Sequence, residues 1–254
     1  MLKNKRGQIT IFVIISILLV VGIILLFFLY NNTINTPEAQ ASKNPEGFIS
    51  QCVGDYANEA AEKIIENGGY LNDDFFGMEF EYKKIPYLCF TPENYERCVP
   101  ARAMLTDSVK NDVYDYIEPK INACFEMMKK DLKEYDISFE KDFELSVELL
   151  PRKIRVDIER KTDTEKAGEP RIFTKFTSTT HAPLYDLAVV AQKIIEQEIK
   201  YCNSDYTEIM RENKWAKIEK VQTGNDNKIY TITDTKTGEI WRFAVRNCVL
   251  DTPS

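Results

Sequence analysis

A long uncharged segment near the N-terminus constrains this chain more than any other feature. Residues 7–37 carry no charged side chain, and residues 8–30 are almost entirely Ile, Leu, Val and Phe. A helix of that length extends roughly 34 Å, which is enough to cross a hydrocarbon core of about 30 Å. Buried helices of soluble proteins rarely run so far without a polar face. We therefore predict a transmembrane helix over residues 8–30, in contact with membrane lipid.

The charges on either side of this helix indicate its orientation. Lys3, Lys5 and Arg6 precede it, whereas residues 31–37 contain no Lys or Arg. By the positive-inside rule, the basic N-terminus over residues 1–7 is cytoplasmic and residues 31–254 are extracellular. Three of the 33 basic residues and none of the 40 acidic residues come before residue 31, so residues 31–254 have a net charge of −10. Such an acidic domain argues against nucleic acid as a partner.

The extracellular part divides into a tether and a folded domain. Residues 31–44 are rich in Asn, Thr, Ser and Pro, which is typical of a polar linker. Asn31 begins an Asn-Asn-Thr triplet and is a candidate glycosylation site. Residues 45–254 are enough for one good hydrophobic core, and two subdomains split near residue 136 are the alternative.

The residues around the start of the apolar segment suggest how the N-terminus is processed. Residues 5–12 read Lys-Arg-Gly-Gln-Ile-Thr-Ile-Phe. This run resembles the class III signal peptides of archaeal pilin-like proteins, and the resemblance implies cleavage between Gly7 and Gln8 by a prepilin-type peptidase. Pilins usually carry Glu at the fifth mature position, where Phe12 stands here. The resemblance therefore implies a membrane anchor, and filament assembly is less well supported.

A looser resemblance extends over the rest of the chain. It rests on the single apolar span, Cys52 on a helical pattern, the Gly68-Gly69 pair and the closing run over residues 243–247. With these features the chain resembles uncharacterised single-span surface proteins of small-genome archaea. That group has no established activity, so this resemblance implies topology and fold alone.

Hydrophobic periodicity predicts an α+β domain of antiparallel hairpins packed with amphipathic helices. Apolar residues recur at helical spacing over residues 45–67, over residues 107–133 and from Leu184 onward, and Pro119 must kink or divide the second helix. Alternating patterns predict a hairpin over residues 143–158, a polar loop over residues 162–170 and a strand over residues 171–180. Two further hairpin turns are predicted at residues 224–227 and 234–238. We expect the helices on one face of a meandering sheet.

All six cysteines fall on the predicted extracellular side, where disulfides form readily. Cys89 and Cys98 flank a short loop and are the favoured pair. The remaining candidates are Cys52, Cys124, Cys202 and Cys248, and six cysteines allow fifteen complete pairings among which the sequence does not choose. Because Cys52, Cys124 and Cys202 lie on or beside predicted helices, a disulfide could join two helices.

No residue pattern indicates catalysis, a metal site or a cofactor. His181 is the single histidine, and a lone histidine is not a catalytic motif. Exposed aromatic residues such as Phe75, Phe76, Tyr82 and Tyr87 could form a binding surface or pack in the core. We therefore predict a single-pass membrane-anchored surface protein with a non-catalytic binding or structural ectodomain, whose partner is another protein or a second copy. A type IV pilin-like filament subunit is the first alternative, and an extracytoplasmic hydrolase with paired carboxylates is the second.

Overall fold

A computed structural model of the protein describes residues 19–21, 43–223 and 226–248. The predicted transmembrane helix lies outside these ranges except for residues 19–21, and Gly7, Gln8 and Asn31 also lie outside them. Among the described residues, no helix combines the length and apolar character that crossing a membrane requires. The chain divides into Met1–Ser42 and a compact unit, Lys43–Ser254, and the fold below is that of the second unit.

Five helices and ten strands make up the described part of this unit, which confirms the α+β class. The helices are α1 (Pro45–Glu66), α2 (Leu105–Ile117), α3 (Ile121–Asp131), α4 (Leu184–Tyr201) and α5 (Tyr206–Glu212). The strands are β1 (Gly77–Phe80), β2 (Lys83–Phe90), β3 (Val99–Pro100), β4 (Asp136–Phe139), β5 (Glu144–Leu150), β6 (Lys153–Lys166), β7 (Glu169–His181), β8 (Ala216–Gln222), β9 (Asn227–Asp234) and β10 (Ile240–Arg246). They form two sheets, so the expectation of one meandering sheet is wrong.

The first sheet has the strand order β1-β2-β10-β9-β8, with the short β3 also paired to β2. Its pairs are antiparallel except for β2 and β10, which run parallel and place Tyr87 beside Ala244. Hairpin patterning predicts pairs of neighbouring strands only. The parallel pair joins strands that are far apart in sequence, and it completes the sheet.

The second sheet is built on the long strand β6. Strands β4 and β5 pair with one edge of β6, and β7 pairs with the other edge along nearly its whole length. The expected polar loop over residues 162–170 is wrong, because β6 continues to Lys166 and β7 begins at Glu169. Thr162 and Thr164 are buried on the inner side of β6, and each hydroxyl donates to a backbone carbonyl. These hydrogen bonds let a polar stretch continue a buried strand.

Helix α1 lies at the centre of the domain and contacts both sheets as well as α2, α3 and α4. The Asn44 side chain accepts a hydrogen bond from the Gly47 amide at its N-terminus. At the other end, the Gly69 amide donates to the Ile64 carbonyl, so the helix ends before the Gly pair, where the predicted helical pattern over residues 45–67 also ends. Core residues before and after residue 136, such as Phe125 and Phe176, belong to one hydrophobic cluster.

Pro119 divides the second helical region as predicted, because α2 ends at Ile117 and a short 3-10 turn, Glu118–Lys120, leads into α3. The six cysteines form three disulfides, and the expected Cys89–Cys98 pair is one of them. Cys52–Cys124 joins α1 to α3, and Cys202–Cys248 joins the end of α4 to the segment after β10.

Candidate functional site

The two faces of the first sheet have different surroundings. The inner face carries Trp241, Phe243 and Val245, which are fully buried in the main core. The outer face carries a separate small cluster, and every member of it belongs to a strand: Ile85, Tyr87, Ile229 and Ala244, with Met78, Phe80 and Phe90 packed against them. The four central members of this cluster are buried, so a candidate binding surface on this face lies only where its apolar side chains are exposed.

Three aromatic rings stand at one end of this outer face. The ring of Phe76 stacks on that of Tyr87 at 5.2 Å, meets Phe90 edge-on at 4.9 Å, and Tyr87 lies 4.8 Å from Phe90. Phe76 is 63% exposed although its ring is packed against the other two. Strand pairing places Val99, which is 70% exposed, directly opposite Phe90 and therefore on the same face. We call Phe76, Tyr87, Phe90 and Val99 the aromatic face.

The β1–β2 hairpin fixes Phe76 above β2. The Tyr87 amide donates to the Phe76 carbonyl at 3.1 Å, and Gly77 lies opposite Pro86 in the strand register. A Cβ atom on Gly77 would come within 2.3 Å of the Ile85 carbonyl oxygen, so only glycine allows this approach. The tight pairing holds the exposed ring in one place.

Tyr87 is anchored below the ring surface. Its hydroxyl donates to Asn227 Oδ1 at 2.9 Å in a buried hydrogen bond that joins β2 to β9. Burial raises the pKa of the Tyr87 hydroxyl, and nearby Arg246 opposes that rise only in part. Tyr87 is therefore neutral at physiological pH. Its ring is a rigid support on which the rings of Phe76 and Phe90 pack.

The loop beside the aromatic face is closed by a disulfide. The disulfide Cys89–Cys98 closes this loop, and we call residues 91–97 the disulfide loop. The Arg246 guanidinium donates to the Thr91 carbonyl and to Asn94 Oδ1, so the loop is also fastened to β10. Tyr95 stands on this loop with 61% of its surface exposed. Such a restrained loop loses little conformational freedom when it binds a partner.

A groove with a cavity volume of about 430 Å³ opens elsewhere, between α1 and the first residues of β2 and β10. It is lined by Glu62 and Glu239 among other residues. Glu239 Oε2 is buried and has no hydrogen-bond partner in the described part of the protein. Burial raises the pKa of Glu239, and the charges of Asp234 and Glu62 raise it further. The carboxyl groups of Glu62 and Glu239, which both line this groove, favour the hydrolase alternative.

The other residues considered from the sequence are placed apart from the aromatic face. His181 is exposed at the end of β7. Phe75 is buried, and Tyr82 is exposed at the β1–β2 turn. Across the described ranges, no three His, Cys, Asp or Glu side chains are grouped to hold a metal ion. Sequence reasoning missed Phe90 and Val99, because only strand pairing places them together on the aromatic face.

Comparisons of the chain with models of protein families, with curated proteins and with solved structures find no match. The function is therefore inferred from the residues and their arrangement.

Proposed function

We propose that this chain is a single-pass membrane-anchored surface protein whose ectodomain acts by binding another protein. The anchor in this proposal is the apolar segment over residues 8–30, and Lys3, Lys5 and Arg6 keep its N-terminal end in the cytoplasm. Three disulfides support an oxidising compartment for the ectodomain, because cytosolic thiols are kept reduced.

The aromatic face is the observation that carries the binding proposal. Exposed aromatic side chains beside a polar loop are typical of protein interfaces. Here Phe76, which directly precedes β1, and Val99 on β3 expose most of their surface although both are held against the first sheet. The domain does not need the exposed Phe76 ring for its own packing. A partner protein that covers this ring would explain why it is exposed.

Protease treatment of intact cells tests the topology. Cleavage within the tether over residues 31–44 should release a disulfide-bonded fragment that contains the Lys43–Ser254 unit, while a cytoplasmic marker protein stays whole. If the ectodomain is protected until the cells are opened, the proposal is wrong. Mass spectrometry of the mature N-terminus gives a separate result, since a chain that begins at Gln8 supports processing between Gly7 and Gln8.

A hydrolase is the second candidate, and Glu62 and Glu239 in the groove are its support. In that case Glu239→Gln should abolish the cleavage of envelope polymers by the purified chain, because the amide cannot transfer a proton. Phe76→Asp, on the aromatic face, is the matched control and should leave such cleavage intact. Equal cleavage by the wild type and Glu239→Gln would remove this candidate.

A further inference from the structure

We infer that the aromatic face is the site at which two copies of this chain associate on the cell surface. This inference rests on the proposed binding function and names its partner. It is drawn from the apolar chemistry of the face, the charges at its rim and the net charge of the rest of the ectodomain.

The chemistry of the face suits another protein surface. Val99 offers a branched aliphatic group, and one side of the Phe76 ring is already stacked on Tyr87. The exposed part is therefore a small apolar surface that can fit between side chains of a partner. Strand register places Arg246 opposite Phe90 on the same face, so a polar rim adjoins the apolar centre.

The charges at this rim favour a second copy of the chain. Glu93, Glu96 and Arg97 stand exposed on the disulfide loop, and Arg246 lies beside it. Within the described residues, none of these four side chains forms a salt bridge. Two acids and two bases around an apolar centre can pair across a twofold axis, because each copy then offers its acids to the bases of the other.

The rest of the ectodomain disfavours self-association elsewhere. Residues 31–254 carry a net charge of −10, so two copies repel each other over most of their surface. The aromatic face is locally balanced and avoids that repulsion. Anchoring in one membrane also confines the copies, which raises their effective concentration and lets a weak interface operate.

Sedimentation of the ectodomain tests the inference in solution. The Lys43–Ser254 unit has its own core and contains all three disulfides, so it can be produced without residues 1–42. We expect reversible dimers with a Kd between about 1 μM and 1 mM, a range in which tethered copies still associate. A wild-type unit that stays monomeric up to about 1 mM would overturn the inference.

Matched variants locate the interface. Phe76→Asp should weaken dimerisation by at least about tenfold, as expected for an anchor residue. Ile172→Asp is the control, since Ile172 is 64% exposed but stands on β7 in the second sheet. If Phe76→Asp does not fold, Val99→Asp replaces it, because β3 contains only two residues. Equal dimerisation by the control and the variant at the aromatic face would contradict the inference.

Exchanging the charges on the disulfide loop tests whether these side chains pair directly between two copies or only support the fold. Arg97→Glu should weaken the homodimer, and mixing it with a Glu93→Arg/Glu96→Arg copy should restore association. No recovery in the mixture would count against pairing across a twofold axis.

Photo-crosslinking in the full-length chain completes the test in the membrane. A benzophenone amino acid at position 76 should give a product of twice the chain mass, and the same group at position 172 should not. Capture of a different protein or a glycan at position 76, without the double-mass product, would overturn self-association but leave the binding function standing. Failure of the topology test on intact cells would instead remove the binding function, whether or not the purified unit dimerises.

Discussion

At the scale of single residues, Arg160 shows how the core of the second sheet tolerates a buried cation. It is only 3% exposed, and its guanidinium lies over the rings of Phe125 and Phe139 at 4.5 and 4.4 Å. Its Nε donates to the Glu140 carbonyl at 2.6 Å. Burial lowers the pKa of Arg160, and no carboxylate pairs with it among the described residues. Aromatic faces and backbone carbonyls therefore replace part of its hydration, while Nη1 has no hydrogen-bond partner among the described residues.

Arg160→Lys should destabilise the domain by about 1–3 kcal/mol, because an ammonium group cannot stack between rings and loses the forked hydrogen bonds. Chemical denaturation of the Lys43–Ser254 unit measures this change. Arg155→Lys is the matched control, since Arg155 stands on the outer side of β6 and is much more exposed. A similar free energy of unfolding for both variants would contradict this role.

Glu239 should make the domain less stable as the pH rises. Burial, together with the charges of Asp234 and Glu62, raises the pKa of Glu239 in the folded state. The unfolded chain therefore loses its proton first, and stability falls from the ordinary carboxyl pKa up to the folded pKa. Glu239→Gln should flatten this part of the stability profile, which begins near the ordinary carboxyl pKa of about 4.3 and extends above it. A profile as steep as that of the wild type would disprove the assignment.

At the scale of elements, the end of α1 depends on a glycine that no other residue can replace. Gly68 has φ +59°, and an added Cβ atom would come within 2.0 Å of the Arg242 carbonyl oxygen on β10. Gly68→Ala should cost about 3 kcal/mol or more in unfolding free energy, since helix and sheet must separate. Gly168→Ala should cost only about 1 kcal/mol, because Gly168 has φ +84° but open space around it. Thermal unfolding of both variants makes the comparison.

The disulfides should contribute unequally. Cys52–Cys124 closes a sequence separation of 72 residues, whereas Cys89–Cys98 closes only 9. From loop entropy, replacing the first pair by Ala should cost about 4 kcal/mol and the second about 2.5 kcal/mol. Dimerisation should show the reverse order, because of these two disulfides only Cys89–Cys98 restrains the disulfide loop. Denaturation and sedimentation of the two double variants measure both effects, and equal effects on dimerisation would contradict the role of the loop.

Local elements were predictable because their signals are local. The Gly68-Gly69 pair and Pro119 mark helix ends through steric limits and hydrogen bonds that act within a few residues, whereas the capping role of Asn44 appears only in the structure. The continuation of β6 through Thr162 was not predictable, since a buried threonine looks like a loop residue until its hydrogen-bond acceptor is known.

The aromatic face could be predicted only in part for the same reason. Phe76 and Tyr87 were candidates as aromatic residues, but their exposures differ because one ring covers the other. Phe90 and Val99 reach the face through pairing between β2 and β3. Arg246 reaches it through the parallel pairing of β2 with β10, which links distant parts of the chain. Hydrophobic periodicity along the sequence does not indicate contacts between strands that are far apart in the chain.

At the scale of the whole molecule, the proposed function places an acidic, disulfide-bonded domain outside the cell, anchored by residues 8–30. That arrangement explains the acidic charge, the cysteine pairing and the aromatic face together. In the proposed arrangement, the net charge of −10 over residues 31–254 would keep copies apart except at the balanced aromatic face, and an oxidising environment would preserve the disulfide loop beside it.

Lysine labelling of intact cells with a membrane-impermeant reagent tests this arrangement most directly. Lys129, Lys130 and Lys133 are exposed on and just after α3, and mass spectrometry can follow their modification. The account predicts that these lysines are labelled on unbroken cells while a cytoplasmic marker protein is not. Labelling of the three lysines only after the cells are lysed would contradict it.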